Sequence, residues 1–306
     1  MLKPFQLAIL GSGSASATSQ RYPSAQALIV PGRCFLIDCG EGTQFQLRKN
    51  HINFSQINHI FISHLHGDHF FGLIGLISSF SLLGRRSDLH IFAHSDIQRY
   101  TDFQLETLDM TDPGFRIVFH PLDMKKKKLL FEDNKLVISS FPLKHRIPCC
   151  GFRFDEKPSS PNLIKEQLNK YDVPIAFMKN LKAGEDYVTE NGEIIPNKQF
   201  VIPPTPARSY AYCSDTMFSE TVVKAVKGVT TLYHEATFAN SDEGVAFNTF
   251  HSTAAQAALV AKKAGAEKLL LGHFSSRYKT VDILLEEAKA IFSNTLAVSD
   301  NDTFDL

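Results

Sequence analysis

The chain of 306 residues has no uninterrupted apolar stretch near the length that crosses a bilayer, so no membrane-spanning helix is expected. Its five cysteines, Cys34, Cys39, Cys149, Cys150 and Cys213, show no Cys-x-x-Cys spacing. Their odd number argues against a disulfide framework and for a reducing, cytoplasmic setting. The opening run from Met1 to Leu10 lacks the apolar length and small-residue cleavage site of a signal peptide, and reads as a first strand. Formal net charge is zero, which gives nucleic-acid binding no global support while leaving room for a local basic patch. The Gly11-Ser12-Gly13-Ser14 stretch lacks the third glycine and the following helix pattern of a dinucleotide fingerprint, and reads as a structural turn. No internal repeat is obvious. What is present, 43% hydrophobic and 21% charged residues, is the composition of an ordinary globular protein with a substantial core.

The informative stretch is 58–72. Ile60-Phe61-Ile62 reads as a buried strand that stops at Ser63, and His64, His66, Asp68 and His69 follow around Gly67. Four potential metal ligands in six residues exceed the need of one ion. His64 and His66 project to the same side of an extended backbone, whereas Asp68 and His69 are adjacent and point apart, which suits a second metal beside the first. Further histidines and aspartates at other strand ends would complete such a site.

They are there. Strands are expected at 27–30, 34–37, 89–92, 115–120, 136–141, 209–213, 230–233 and 268–271, with helices at 44–49, 73–83, 96–110 and 253–264, the last capped by Ser252. His64, His145, Asp215 and His273 each come directly after, or within a few residues of, an apolar strand, so strands from both halves should deliver ligands to one rim of a layered α/β fold. Asp38, at another strand end, either orients a ligand histidine or caps the next helix. His94, also at a strand end, reads as a polar contact or a surface residue rather than a ligand. The run Lys125–Lys128 is either a solvated loop or a contact for a phosphate backbone. Residues 155–205 are polar and break the strand rhythm; they read as an inserted arm, with a helix at 162–170 and a hairpin turn at Asn191-Gly192. The rest, within 1–306, reads as a single domain.

The sequence resembles the metallo-β-lactamase superfamily, whose His-x-His-x-Asp-His signature is His64-x-His66-x-Asp68-His69. Within it the chain is similar to the ribonuclease Z family of tRNA 3′-processing endonucleases. The likeness runs nearly end to end and includes Phe35 to Thr43, Pro142-Leu-Lys-His145-Arg146, His234-Glu235-Ala-Thr237, His251-Ser-Thr253 and Gly272-His273 to Tyr278. It implies an αββα sandwich, two mixed sheets between helix layers, with a protruding arm. It implies two zinc ions per subunit, with manganese or another divalent ion as a substitute. His64, His66 and His145 would hold one, Asp68, His69 and His273 the other, and Asp215 would bridge. It also implies a homodimer in which the arm of one subunit (about 155–205) clamps the precursor tRNA cut by its partner.

The ligand chemistry agrees: imidazole and carboxylate suit zinc, and a cluster without cysteine is not a closed structural site. By the same resemblance Asp68 also accepts a proton from the attacking water, and His251, oriented by Glu235, donates one to the leaving ribose oxygen. The products would be a tRNA 3′-hydroxyl and a 5′-phosphorylated trailer. Arg21, Lys144, Arg146 and Arg277 are candidate RNA contacts, each with an ordinary salt-bridge alternative. The arm departs from the family pattern: Pro174-Ile-Ala-Phe-Met178 stands where a Gly-Pro element is usual, and the arm as a whole is not basic, though Lys179 and Lys182 lie close by. Cys213-Ser214-Asp215-Thr216 has serine where the family has glycine and keeps the carboxylate. A competing reading keeps the metals and changes the substrate to a small phosphodiester, sulfate ester or thioester. An RNA-binding scaffold with a vestigial site is a third, which the complete ligand set disfavours.

Overall fold

The computed structural model describes residues 5–306; the part of the N-terminal strand reading that falls on 1–4 lies outside the described residues. The strands are β1 (Gln6–Gly11), β2 (Ala25–Val30), β3 (Arg33–Ile37), β4 (Ile57–Phe61), β5 (Leu89–Ala93), β6 (Ile117–Pro121), β7 (Lys128–Glu132), β8 (Leu136–Pro142) and β9 (Cys150–Glu156). Four short pieces follow, β10 (Asn162–Leu163), β11 (Tyr187–Val188), β12 (Ile194–Ile195) and β13 (Val201–Ile202). Then come β14 (Ser209–Cys213), β15 (Thr231–Glu235), β16 (Lys268–Gly272), β17 (Thr295–Ala297) and β18 (Thr303–Asp305).

Two seven-stranded sheets result, ordered β18-β1-β2-β3-β4-β5-β6 and β17-β16-β15-β14-β9-β8-β7. Each starts with an antiparallel meander, β1–β3 or β7–β9, and continues through parallel neighbours, β4–β6 or β14–β17. The halves of the chain thus have related strand orders that no sequence repeat announced, and they differ at the join, where β4 runs parallel to β3 but β14 runs antiparallel to β9.

The central strands are apolar without alternation because both of their faces are covered. In β3, Cys34 and Leu36 join the helices outside the first sheet, while Phe35 and Ile37 pack between the sheets. In β16, Leu269 and Leu271 pack outward and Leu270 inward, against Tyr233 and Phe152. Three apolar layers therefore separate four layers of structure, helix, sheet, sheet and helix. All five cysteines are buried and free. Among the described residues, no helix is long and apolar enough to cross a membrane.

Parallel strands end on the same side, and that rim carries the polar residues. Asp38 follows β3, Ser63 and His64 follow β4, Ser214 and Asp215 follow β14, Glu235 closes β15 and His273 follows β16. Some boundaries differ from those expected. The cap of the helix Ala254–Ala264 is Thr253, not Ser252: Thr253 Oγ1 accepts from the Gln256 amide, and the Gln256 side chain closes a capping box. Ser252 instead donates its hydroxyl to the Thr216 carbonyl at 2.7 Å. The helix expected over 162–170 starts only at Lys165, because Asn162–Leu163 pairs with Val201–Ile202 as strand. The helix expected over 96–110 stops at Thr107.

Between β9 and β14 the chain builds a small apolar cluster of its own, with Leu168, Val173, Leu181, Tyr187, Ile195 and Phe200 buried. β11 and β12 pair around Asn191-Gly192, where Gly192 takes φ +81°. Lys179 and Lys182 are exposed on one side of the helix Met178–Ala183.

Candidate metal centre

The loop after β4 is clamped in place by close backbone contact. The Gly72 amide donates to the Cys39 carbonyl at 2.9 Å, and a Cβ on Gly72 would lie 2.1 Å from the Gly40 oxygen, so only glycine permits this approach. Asp38, Phe250 and His273 have φ of 55°, 61° and 59°, left-handed conformations that cost energy for non-glycine residues and cluster where function requires them.

Two sets of ligand atoms face each other across Asp215. His64 Nε2 and His145 Nε2 each approach His66 Nδ1, at 3.1 and 3.2 Å, and lie 3.4 and 3.7 Å from Asp215 Oδ2. His69 Nε2 and His273 Nε2 are 3.3 Å apart, each 3.5 Å from Asp68 Oδ2, and 3.4 and 3.2 Å from Asp215 Oδ1. An ion with tetrahedral bonds of about 2.0–2.1 Å places its ligand atoms about 3.3 Å apart, so both sets have the spacing of a metal's coordination shell. Asp215 Oδ1 is buried and accepts no hydrogen bond among the described residues, a deficit that a cation removes.

The outer ring nitrogens fix which nitrogen faces inward. His145 Nδ1–H donates to the Phe250 carbonyl at 3.0 Å, and His69 Nδ1–H donates to Asp38 Oδ2 at 2.7 Å. Asp38 also accepts from the Ser63 amide at 2.7 Å, the Ser63 hydroxyl at 2.9 Å and the Tyr212 hydroxyl at 2.7 Å. With its proton on Asp38, Ser63 Oγ accepts from His64 Nδ1 at 3.0 Å. Glu235 Oε2 accepts from the Thr237 hydroxyl at 2.7 Å, leaving that oxygen to accept from His273 Nδ1 at 2.9 Å. Each of the four Nε2 atoms therefore presents a lone pair to the cluster. Asp38 orients His69; it caps nothing, since the next helix begins after Gly42.

Burial drives His66 and His145 down to about 4, so both are neutral near pH 7. Burial pulls His69 down as well, but Asp68, Asp215 and Asp38 outweigh it and raise it well above the ordinary value; a bound cation displaces that proton. Burial pushes the carboxyls of Asp68 and Asp215 up, and the surrounding histidines overcome this and hold both below the usual range.

His251 stands beside the cluster. Its Nδ1 donates to Glu235 Oε1 at 3.0 Å, and its Nε2 lies 3.9 Å from Asp215 Oδ2. Burial lowers its basicity, but Glu235 and Asp215 raise it to about 9. Glu235 Oε1 also accepts from the Thr216 and Ser252 amides at 3.2 and 2.9 Å, so the carboxylate is fixed.

All seven expected ligands and both helpers, His251 and Glu235, thus meet at one rim, with Asp68, Asp215, His66, His145, His251 and His273 opening into a cleft of about 790 Å³. Arg146 lines this cleft; Lys144 is exposed beside it. Arg21 donates to the Tyr278 carbonyl, and Arg277 pairs with Asp242 at 2.9 Å, so the salt-bridge alternative holds for Arg277. His94 sits apart, accepting from the Asp96 amide at 3.3 Å. Lys125–Lys128 are exposed, and their side chains make no hydrogen bond or ion pair among the described residues. The turn at Gly11–Ser14 proves to be more than structural: Ser14 and Ala15 line the cleft, and the Ala15 amide donates to Asp68 Oδ2 at 2.7 Å. Ser63, Tyr212 and Thr237 were not singled out by sequence reasoning. Thr237 sits in a quoted motif, but Tyr212 reaches Asp38 from the opposite sheet, and no local pattern reports that.

The arrangement of two mixed sheets and a binuclear His/Asp site defines a metal-dependent hydrolase of the metallo-β-lactamase fold. The metallo-β-lactamase fold protein YhfI from Bacillus subtilis superposes with a TM-score of 0.69, covering 98% of this chain and 99% of that one at 18% identity. Human tRNase Z, short form, superposes with a TM-score of 0.71 at 28% identity over 98% of each chain. Ribonuclease Z of Bacteroides fragilis is 46% identical over 300 residues, 98% of each chain, and that of Porphyromonas gingivalis (strain W83) 44% identical over 302 residues, 99% of each. A family model described as Anti-Pycsar protein Apyc1 matches residues 5–156. The chain belongs to the ribonuclease Z family and is a metal-dependent endoribonuclease.

Proposed function

We propose that this protein removes the 3′ trailer from tRNA precursors, hydrolysing one phosphodiester to leave a tRNA 3′-hydroxyl and a 5′-phosphorylated trailer. The near end-to-end similarity to Ribonuclease Z carries the reading. His64, His66 and His145 would hold one zinc ion, Asp68, His69 and His273 a second, and the two oxygens of Asp215 both. The nitrogen and oxygen donor set and the orphaned Asp215 Oδ1 fit that pair. Bound there, the two cations would acidify a water and offset the charge that develops on the phosphate.

The chain's own groups move the protons. Asp68 Oδ2 is held by the Ala15 amide, and its other oxygen accepts no hydrogen bond among the described residues, so it is available for the water's proton. As the bond from phosphorus to O3′ breaks, His251 Nε2–H protonates the departing oxygen, with Glu235 fixing the ring through Nδ1.

Residues 155–205, which include a small core of their own, act as the arm that grips tRNA through Lys179 and Lys182. The protein works as a homodimer. Support comes from Phe45, Leu82, Leu83 and Phe103, large apolar side chains exposed on or just after the helices Thr43–Lys49, Leu73–Leu82 and Asp96–Thr107 outside the first sheet.

The test replaces 160–200 by a short linker and compares two substrates. Cleavage of a tRNA precursor is lost and hydrolysis of a small chromogenic phosphodiester is kept. Equal loss of both would remove the clamp from the account.

A further inference from the structure

We infer that the cavity behind His251 receives the discriminator nucleotide, the one whose O3′ leaves, and that Phe247 is its stacking platform. The inference rests on the tRNA reading above and adds where the nucleotide sits. A cavity of about 520 Å³ is lined by Met217, Phe218, Glu243, Gly244, Phe247, Asn248 and Gln256, with the Glu243 carboxylate accepting from Gln256 Nε2 at 3.1 Å, and His251 forms a wall of both this cavity and the metal cleft. Its volume lies in the range of about 300–1,000 Å³ typical of small-molecule sites, room for a nucleotide and not for a helix.

Its position follows from His251. Nδ1 is committed to Glu235, so Nε2 is the nitrogen that meets O3′, at the end of the cleft that His251 closes. The nucleotide bearing that oxygen must continue past the His251 ring, and the cavity opens there. Phe247 is 65% exposed on the helix Glu243–Thr249 and stacks on no other ring among the described residues. An unpartnered aromatic face beside a strand-cleaving site is what a base stacks on, with little regard to which base it is. Asn248 is exposed on the same helix, its side-chain amide free of hydrogen bonds among the described residues and able to address a base edge. The Met217 amide donates to the Lys144 carbonyl at 2.9 Å, which ties the cavity wall to the segment that carries exposed Lys144 and the metal-cleft residues His145 and Arg146.

Gly244 gives a clean probe. A Cβ there meets nothing within 4 Å and its φ is not left-handed, so a larger side chain enters open space.

The experiment measures kcat/KM for two tRNA precursors, one intact and one abasic at the discriminator position. The wild type should favour the intact precursor about tenfold, the usual size of one stacked base. Phe247→Ala should cut the two equally, at the abasic rate, and Gly244→Leu should slow the intact precursor more than the abasic one. Wild-type rates that do not distinguish the precursors, or a preference that survives in Phe247→Ala, overturn the pocket assignment. Absence of cleavage of either precursor by the wild type would count against the tRNA reading instead.

Discussion

Replacing Asp38 by Asn changes one atom and one charge at a residue that touches neither substrate nor cleft. Asparagine tolerates the left-handed backbone, φ 55°, that Asp38 adopts, so the substitution isolates hydrogen bonding from strain. The carboxylate accepts from four donors: the Ser63 amide and hydroxyl, His69 Nδ1 and Tyr212 OH. An amide has one acceptor oxygen. Turned toward Ser63 Oγ, His69 and Tyr212, it sets its NH2 against the Ser63 amide; turned the other way, it faces three donors with donors. The better orientation still leaves a buried backbone N–H unpaired, worth about 1–3 kcal/mol of stability. It also removes the negative charge that makes His69 a stronger ligand, which should weaken metal binding about 10–100-fold. The loss should fall on the set containing His69 rather than on His64, His66 and His145. Metal titration against a competing chelator should resolve one weakened and one nearly normal site, and chemical denaturation should report the stability loss. Two sites of unchanged affinity would refute the argument that Asp38 acts through His69.

Two further predictions concern proton donation. His251→Ala should lower precursor cleavage about 10²–10⁴-fold with metal content unchanged; loss of one ion would make His251 a ligand instead of a donor. His251 is raised to about 9 by Glu235 and Asp215 against the pull of burial, so donation persists into mild alkali and cleavage falls as pH rises through that donor. Glu235→Gln removes the first of those carboxylates and should move the alkaline limb of kcat/KM to lower pH. Bound cations depress the donor in both proteins, so the difference between them is the measurement, and coincident limbs would separate Glu235 from His251.

The metal ligands were legible from two signals, the dense spacing of His64, His66, Asp68 and His69 after one strand, and the ends of other strands, where an apolar run stops and a ligand residue begins. His64, Asp215 and His273 show that pattern directly, whereas His145 required a reading across Leu143 and Lys144. The orienting shell was less legible. Asp38 offered two roles from sequence, and only the packing of β14 against β3, which brings Tyr212 to it, decides between them. Ser252 reads as the cap of the helix that follows it, but its hydroxyl is claimed by the Thr216 carbonyl and Thr253 caps instead. The Gly11–Ser14 turn reads as structural because its contribution is a backbone amide, Ala15 N–H on Asp68, and backbone donors leave no mark in a sequence. The related topology of the two halves left none either, since strand order can be shared after side-chain similarity is lost.

The most direct measurement is the cleavage of a 5′-labelled tRNA precursor carrying a 3′ trailer, with and without a chelator. The account predicts a single cut beside the discriminator nucleotide that disappears on chelation and returns when zinc is added back. A cut that persists without metal, or an intact precursor alongside hydrolysis of a small chromogenic phosphodiester, would contradict it.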